Sequence, residues 1–108
     1  MRVQLLYIPG CPNHRPAAER LGRLLAEQGV VRAIEEVEVS NASVARELAF
    51  AGSPTIRIDG DDVEPLGAGT VIAALSCRTY EDHGSLSGLP SEASISSAIR
   101  RARGRDRA

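Results

Sequence analysis

Val3-Gln4-Leu5-Leu6-Tyr7-Ile8-Pro9-Gly10-Cys11-Pro12-Asn13-His14 is the stretch from which the fold can be read. Val3 to Ile8 is nearly all apolar, the pattern of a central strand covered on both faces. Pro9-Gly10 breaks that strand. From about Pro12 to Gln28 the period becomes helical: Ala17, Leu21, Leu24 and Leu25 share one face, and Arg20, Arg23 and Glu27 point away. Gly29 stops the helix. The stretch therefore predicts a strand, a turn and a helix, with Cys11 at the helix mouth.

Outward from there, Ile34 to Val39 reads as a second strand, with Val37 and Val39 on one face and Glu36 and Glu38 on the other. Ser40 or Asn41 caps a short helix from about Ser43 to Ala51, ended by Gly52. Ser53-Pro54 then leads into the alternating strand Thr55-Ile56-Arg57-Ile58, and Asp59-Gly60 is a hairpin turn signal. Asp61 to Thr70 is polar and Gly-rich and reads as a loop. Ala74 to Tyr80 reads as the fourth strand, with a helical turn over Val71 to Leu75 as the alternative. Glu81 to Gly88 is a loop, in which His83 is a solvated residue. The last helix starts near Pro90 and buries Ile95, Ile99 and Ala102.

The order β-α-β-α-β-β-α makes this an α/β chain with a four-stranded mixed sheet and flanking helices. The first two strands pair parallel and the hairpin antiparallel. No linker divides residues 1–108, so one domain is expected, with an Arg-rich tail fraying over about 104–108.

Composition excludes several function classes. The net charge is -1, so no general field attracts nucleic acid or an anionic membrane. With no Trp and with Phe50, Tyr7 and Tyr80 as the whole aromatic set, a base-stacking platform is not expected. All 13 basic residues are Arg. The first apolar run is too short for a signal peptide or a membrane span, which predicts a cytoplasmic protein. In such a compartment a permanent disulfide between Cys11 and Cys77 is not expected, so reactivity or plain burial must account for the two thiols.

A strand, then Pro-Gly-Cys-Pro at a helix mouth, then Gly52-Ser53-Pro54-Thr55 leading into a strand, resembles the thioredoxin and glutaredoxin superfamily. The resemblance covers about residues 3 to 100. It implies that Cys11 starts the first helix, and that Pro54 is cis and faces it. More loosely, Leu75-Ser76-Cys77-Arg78-x-Tyr80 and the Ser-Pro-Thr-Ile-Arg run are similar to small bacterial proteins labelled thioredoxin-like or alkylmercury lyase. The departure is as informative: thioredoxins carry Cys-x-x-Cys, whereas this motif reads Cys11-Pro12-Asn13-His14. Dithiol exchange within the motif is thereby excluded.

Each candidate residue has a chemical reading and a plainer one. At a helix N-terminus, free N–H groups and the dipole favour a thiolate, so Cys11 is expected to be a low-pKa nucleophile, with Arg15 adding charge of the right sign. The plainer reading is a buried, inert thiol. His14, one turn on, either holds or relays the Cys11 proton or is a simple first-turn polar residue. Cys77 is either a resolving thiol or a small strand residue packed in the sheet. Alternation places it with Leu75 and Thr79 on what reads as the apolar face, opposite Ser76, Arg78 and Tyr80, and the packed role is the expectation. Cys11, His14 and Cys77 together would suit a soft metal such as Cu(I), Zn or Hg(II), but the second close ligand pair of a structural Zn site is missing. Asp59, Asp61, Asp62 and Glu64 match a calcium loop only in acidity.

Three functions remain open on the sequence. The first is a thiol redox protein in which Cys11 attacks, His14 orients it, and Pro54 shapes the surface for an extended partner chain. Its partner would be a protein or a low-molecular-weight thiol or disulfide. The second is a soft-metal or organomercurial protein, as an alkylmercury lyase label would imply, using Cys11 and Cys77. The third is a non-catalytic partner-binding domain. No cofactor is called for.

Overall fold

The computed structural model describes residues 1–65, 75–82 and 84–107. β1 (Val3–Tyr7), α1 (His14–Glu27), β2 (Ile34–Glu38), α2 (Ala42–Glu47) and β3 (Thr55–Ile58) follow the periodicity of the sequence. After them come β4 (Asp61–Asp62), β5 (Tyr80–Asp82), β6 (Ser85–Ser87) and α3 (Glu92–Arg107). The main sheet has the order β2-β1-β3-β4, with β2 parallel to β1 and the other two neighbours antiparallel. This is the α/β architecture with a four-stranded mixed sheet that the element pattern implies.

Register decides which face each side chain serves. Leu5 lies between Glu36 and Ile56, and Leu6 between Val37 and Thr55. Residues paired across a ladder project to the same face, and neighbours along a strand to opposite faces. Val3, Leu5, Ile56 and Ile58 therefore pack against α1 and α3, where Leu21, Leu24, Ile95 and Ile99 are buried. Leu6 faces the other way, with Val39, Ala45 and Phe50 under α2. A central strand sandwiched between two helical layers needs apolar residues on both faces, which is why β1 reads as a continuous run.

Asn41 caps α2, its side chain accepting a hydrogen bond from Val44 N–H at 2.9 Å. α2 ends earlier than Ala51, because Ala49 takes a positive φ of 50° and Phe50 turns down into the core. Asn41→Ala is expected to lower stability by about 1 kcal/mol, read as a shifted urea midpoint at unchanged slope.

Three sequence expectations need correction. First, the fourth strand of the sheet is Asp61–Asp62, not Ala74–Tyr80. Asp59 and Gly60 both take positive φ, so the two-residue turn returns the chain at once, with Ile58 opposite Asp61 and Arg57 opposite Asp62. The described part of the expected strand instead runs past the sheet, meets it at an isolated parallel bridge between Cys77 and Ser53, and enters a β5–β6 hairpin. The expected loop over Glu81 to Gly88 is thus largely strand. Second, α3 begins at Glu92 rather than Pro90, because the Ser91 hydroxyl caps it by accepting from Ser94 N–H at 3.1 Å. Third, α3 stays helical through Arg107. Its last turn is tied down by Asp106 to the Met1 amine (3.4 Å) and by Arg105 to Asp59 (3.3 Å). Residues 66–74, with the expected turn from Val71 and the rest of the Gly-rich loop, and His83 lie outside the described residues. Among the described residues no helix is long and apolar enough to cross a membrane.

Candidate functional site

Cys11 sits between two tight turns at the end of β1. Pro9 and Gly10 occupy the centre of the first, closed by Cys11 N–H to the Ile8 carbonyl at 3.2 Å. Gly10 has φ +75°, the conformation the third position of a Pro-Gly turn requires. The second turn, Cys11 to His14, is closed by His14 N–H to the Cys11 carbonyl at 3.3 Å. α1 starts only at His14, with Asn13 as its N-cap, so Cys11 precedes the first helical turn rather than opening it. The helix field that the sequence placed on this thiol falls off within the first turn. Cys11 is half-buried, its sulfur free of any disulfide.

His14 does not hydrogen-bond the Cys11 sulfur. Its Nε2 lies 2.6 Å from Glu36 Oε1, and its ring stacks flat on Tyr7, with centroids 3.7 Å apart and planes 7° from parallel. Leu5 pairs with Glu36 and Tyr7 with Glu38, so Tyr7 and Glu36 both point to the α1 face of the sheet. Glu36 is the functional candidate that sequence reasoning missed. The α1 start is laid over β2 by tertiary packing, which no spacing announces.

The turn before β3 is built tightly. Ser53-Pro54 is a cis peptide, and Gly52 has φ +113°. Ser53, Pro54 and Thr55 are all buried. The Ser53 hydroxyl accepts from Ile8 N–H at 3.0 Å, and the Thr55 hydroxyl donates to the Gly52 carbonyl at 2.6 Å. From outside, Ser53 N–H donates to the Ser76 carbonyl and Arg78 N–H to the Ser53 carbonyl, each at 2.8 Å. The surface assigned to Pro54 for an extended partner chain is thus covered by the protein's own Ser76–Tyr80 segment, and the backbone groups of Ser53 are already paired.

That segment has the expected alternation with the faces exchanged. Leu75, Cys77 and Thr79 are exposed, while Arg78 and Tyr80 are buried. The expectation of a packed Cys77 is therefore overturned. Arg78 turns inward because its guanidinium finds partners there. It pairs with Asp62 at 2.6 Å, reaches Thr55 Oγ1 at 3.3 Å, donates to the Glu64 carbonyl, and lies 4.4 Å over the Tyr80 ring. The Tyr80 hydroxyl donates to the Pro54 carbonyl. Burial pushes that hydroxyl well above the ordinary tyrosine range. A Cβ at Gly52 would come 2.9 Å from Arg78 Cβ, so glycine lets the segment close over the turn. On the other side, Gly88 packs so closely on the Asn13 amide that a Cβ there would collide with it.

The structure brings Cys11 and Cys77 to one end of the sheet through a short chain of hydrogen bonds. Cys11 bonds Ile8, Ile8 bonds Ser53, and Ser53 bonds both neighbours of Cys77. His14 is turned aside to Glu36. Among the described residues no cluster of three or more His, Cys, Asp or Glu side chains could hold a metal ion, so Cys11, His14 and Cys77 do not form a three-ligand site. The acidic hairpin is spent on internal partners as well: Asp59 on Arg2 and Arg105, Asp62 on Arg78, and Glu64 on the Ser91 N–H. No family model, curated protein or solved structure matches this chain.

Proposed function

We propose that this chain is a thioredoxin-like thiol–disulfide protein in which Cys11 is the attacking thiol and Cys77 the second one. The observation that carries the reading is the convergence of both cysteines of the chain, neither of them buried, on the Ser53-Pro54 turn. A cysteine in the first strand–helix turn, a cis-proline opening β3 and a mixed four-stranded sheet support the same reading. Cys11 gives up its proton and attacks one sulfur of a disulfide RS–SR′. A Cys11–SR mixed disulfide forms, and R′S⁻ leaves and takes up a proton. The Cys77 thiolate then attacks the Cys11 sulfur and releases RSH, so the substrate gains two electrons and the protein holds a Cys11–Cys77 disulfide. External thiols reduce it again. Because the Ser53 backbone is paired internally, the partner is a small disulfide rather than an extended chain.

Incubating the reduced protein with oxidised glutathione tests this. The wild type is expected to lose two thiols without retaining glutathione. Cys77→Ser is expected to stop at a glutathione adduct on Cys11, and Cys11→Ser to react far more slowly. A Cys11 that stays unmodified in the folded protein would end the proposal. A wild type that keeps glutathione on Cys11 would remove Cys77 from the mechanism. Thiolates are also the ligands that a soft ion prefers. Hg(II) consuming both at one ion per chain, with no disulfide exchange, would favour the soft-metal reading instead.

A further inference from the structure

We infer that the free edge of β2 is a docking site for a basic, extended segment of a partner protein, which adds to the sheet as a further strand. The inference is independent of the thiol reading. β2 is the outermost strand on its side of the sheet. Val39 N–H donates to the Tyr7 carbonyl at 2.7 Å, so Glu35, Val37 and Val39 turn their main-chain groups toward β1. Alternation turns those of Ile34, Glu36 and Glu38 outward, and among the described residues nothing bonds them. An unpaired row of N–H and C=O groups is a template for another strand.

Two features choose the occupant. Glu35, Glu36 and Glu38 are all exposed along this edge. A second β2 laid against it would oppose like charges, so the edge disfavours its own copy and selects a strand of opposite sign. Arg2 and His14 hold Glu35 and Glu36 in solvent-accessible pairs, which exchange readily for new ones. At the start of the strand the surface turns apolar. A groove of about 540 Å³ lies between Gly22, Ala26 and Gly29 of α1 and the stretch 30–34, and Val31 on its rim is 89% exposed. Ile34 pairs with Val3, so a residue opposite Ile34 projects to the α1 side, over the groove. The matching strand is basic opposite the three glutamates and apolar opposite Ile34 and Val37. In the antiparallel sense, read from its N-terminus, its core is Lys-Val-Lys-Lys-Leu.

A fluorescein-labelled peptide with that core, flanked by Ser-Gly on each side, is titrated with the whole chain at low salt and followed by anisotropy. Saturable binding is expected. Glu36→Lys combined with Glu38→Lys turns two attractive pairs into repulsive ones, and is expected to weaken binding about thirtyfold while gaining a Glu-Val-Glu-Glu-Leu peptide. Val31→Ser removes apolar contact at the groove and is expected to cost about threefold. Circular dichroism checks that each variant keeps its helices. Methylated amides separate strand addition from plain charge attraction. In antiparallel pairing the first, third and fifth amides of the core face β2. Methylating those is expected to abolish binding, and methylating the second and fourth to leave it nearly unchanged. Equal binding of the two methylated peptides overturns the inference, as does the absence of saturable binding. A dimer in sedimentation that Glu38→Pro dissolves would give the edge to a second copy and overturn it too. None of these readings involves a thiol, so their failure leaves disulfide exchange to its own test.

Discussion

Arg78→Leu is expected to cost about 3 kcal/mol of stability, because it removes one partner from a buried charge pair and strands the other. For a chain of this size that corresponds to a thermal midpoint lower by roughly 12–24 °C. The side chains of Arg78 and Asp62 are 5% and 16% exposed, so water replaces little of what is lost. The Glu64 carbonyl and the Thr55 hydroxyl lose a donor, and the Tyr80 ring loses the cation stacked on it. Arg78→Lys keeps the charge without the planar fork and is expected to lose less. The double variant Arg78→Leu, Asp62→Leu is expected to recover part of the loss, since no carboxylate is then left unpaired. Urea unfolding of the four proteins measures all of this. An Arg78→Leu midpoint equal to the wild type would show that the segment over Ser53 is held by its backbone bonds alone.

The halves of this chain differ in how much the sequence discloses. From β1 to β3 each element carries its own period, so Leu5 and Leu6 could be sent to opposite faces and Ala17, Leu21, Leu24 and Leu25 to one face without any tertiary information. Between Gly60 and Gly88 that logic fails, although it holds again in α3, which buries Ile95, Ile99 and Ala102 as their spacing predicts. Alternation makes Leu75, Cys77 and Thr79 the more apolar face, which predicts that they point inside. Asp62, Thr55 and the Glu64 carbonyl, all elsewhere in the chain, reverse it by satisfying a buried guanidinium. The polar pair Asp61-Asp62 reads as loop because an edge strand two residues long leaves no periodic signal.

The site was legible in the same uneven way. Cys11 and Pro54 declare themselves by local chemistry: a cysteine in a Pro-Gly turn, a proline between a glycine and a strand. His14 declares its presence but not its partner. Spacing made Cys11 the obvious neighbour, yet the ring stacks on Tyr7 and reaches across to β2. Glu36 and Glu38 are equivalent in sequence, two outward charges on one strand. Only the place where α1 begins over the sheet distinguishes them.

Tyr80 should make the folded state fail in alkali. Its hydroxyl is buried and donates to the Pro54 carbonyl, and burial raises its ionisation well above that of an exposed tyrosine. Below about pH 10 the folded and unfolded chains both hold this proton, so Tyr80 adds no pH dependence there. Above it, the unfolded chain releases the proton and the folded chain does not. Stability therefore falls as pH rises, by about 1.4 kcal/mol per pH unit until the folded-state value is reached. The chain has no lysine, the usual competitor in this range, and its arginines stay charged. In a Tyr7→Phe background Tyr80 is the remaining tyrosine. Phenolate absorbance is then expected to appear together with the loss of helical circular dichroism, not before it. Tyr80→Phe, with Tyr7 retained, is expected to lose about 1 kcal/mol at neutral pH, because the Pro54 carbonyl loses its donor, and to show a shallower decline above pH 10. If Tyr80 ionises near pH 10 while the helices persist, the hydroxyl is not sealed under the Pro54 turn, and the covering of that turn by Ser76–Tyr80 is looser than these hydrogen bonds imply.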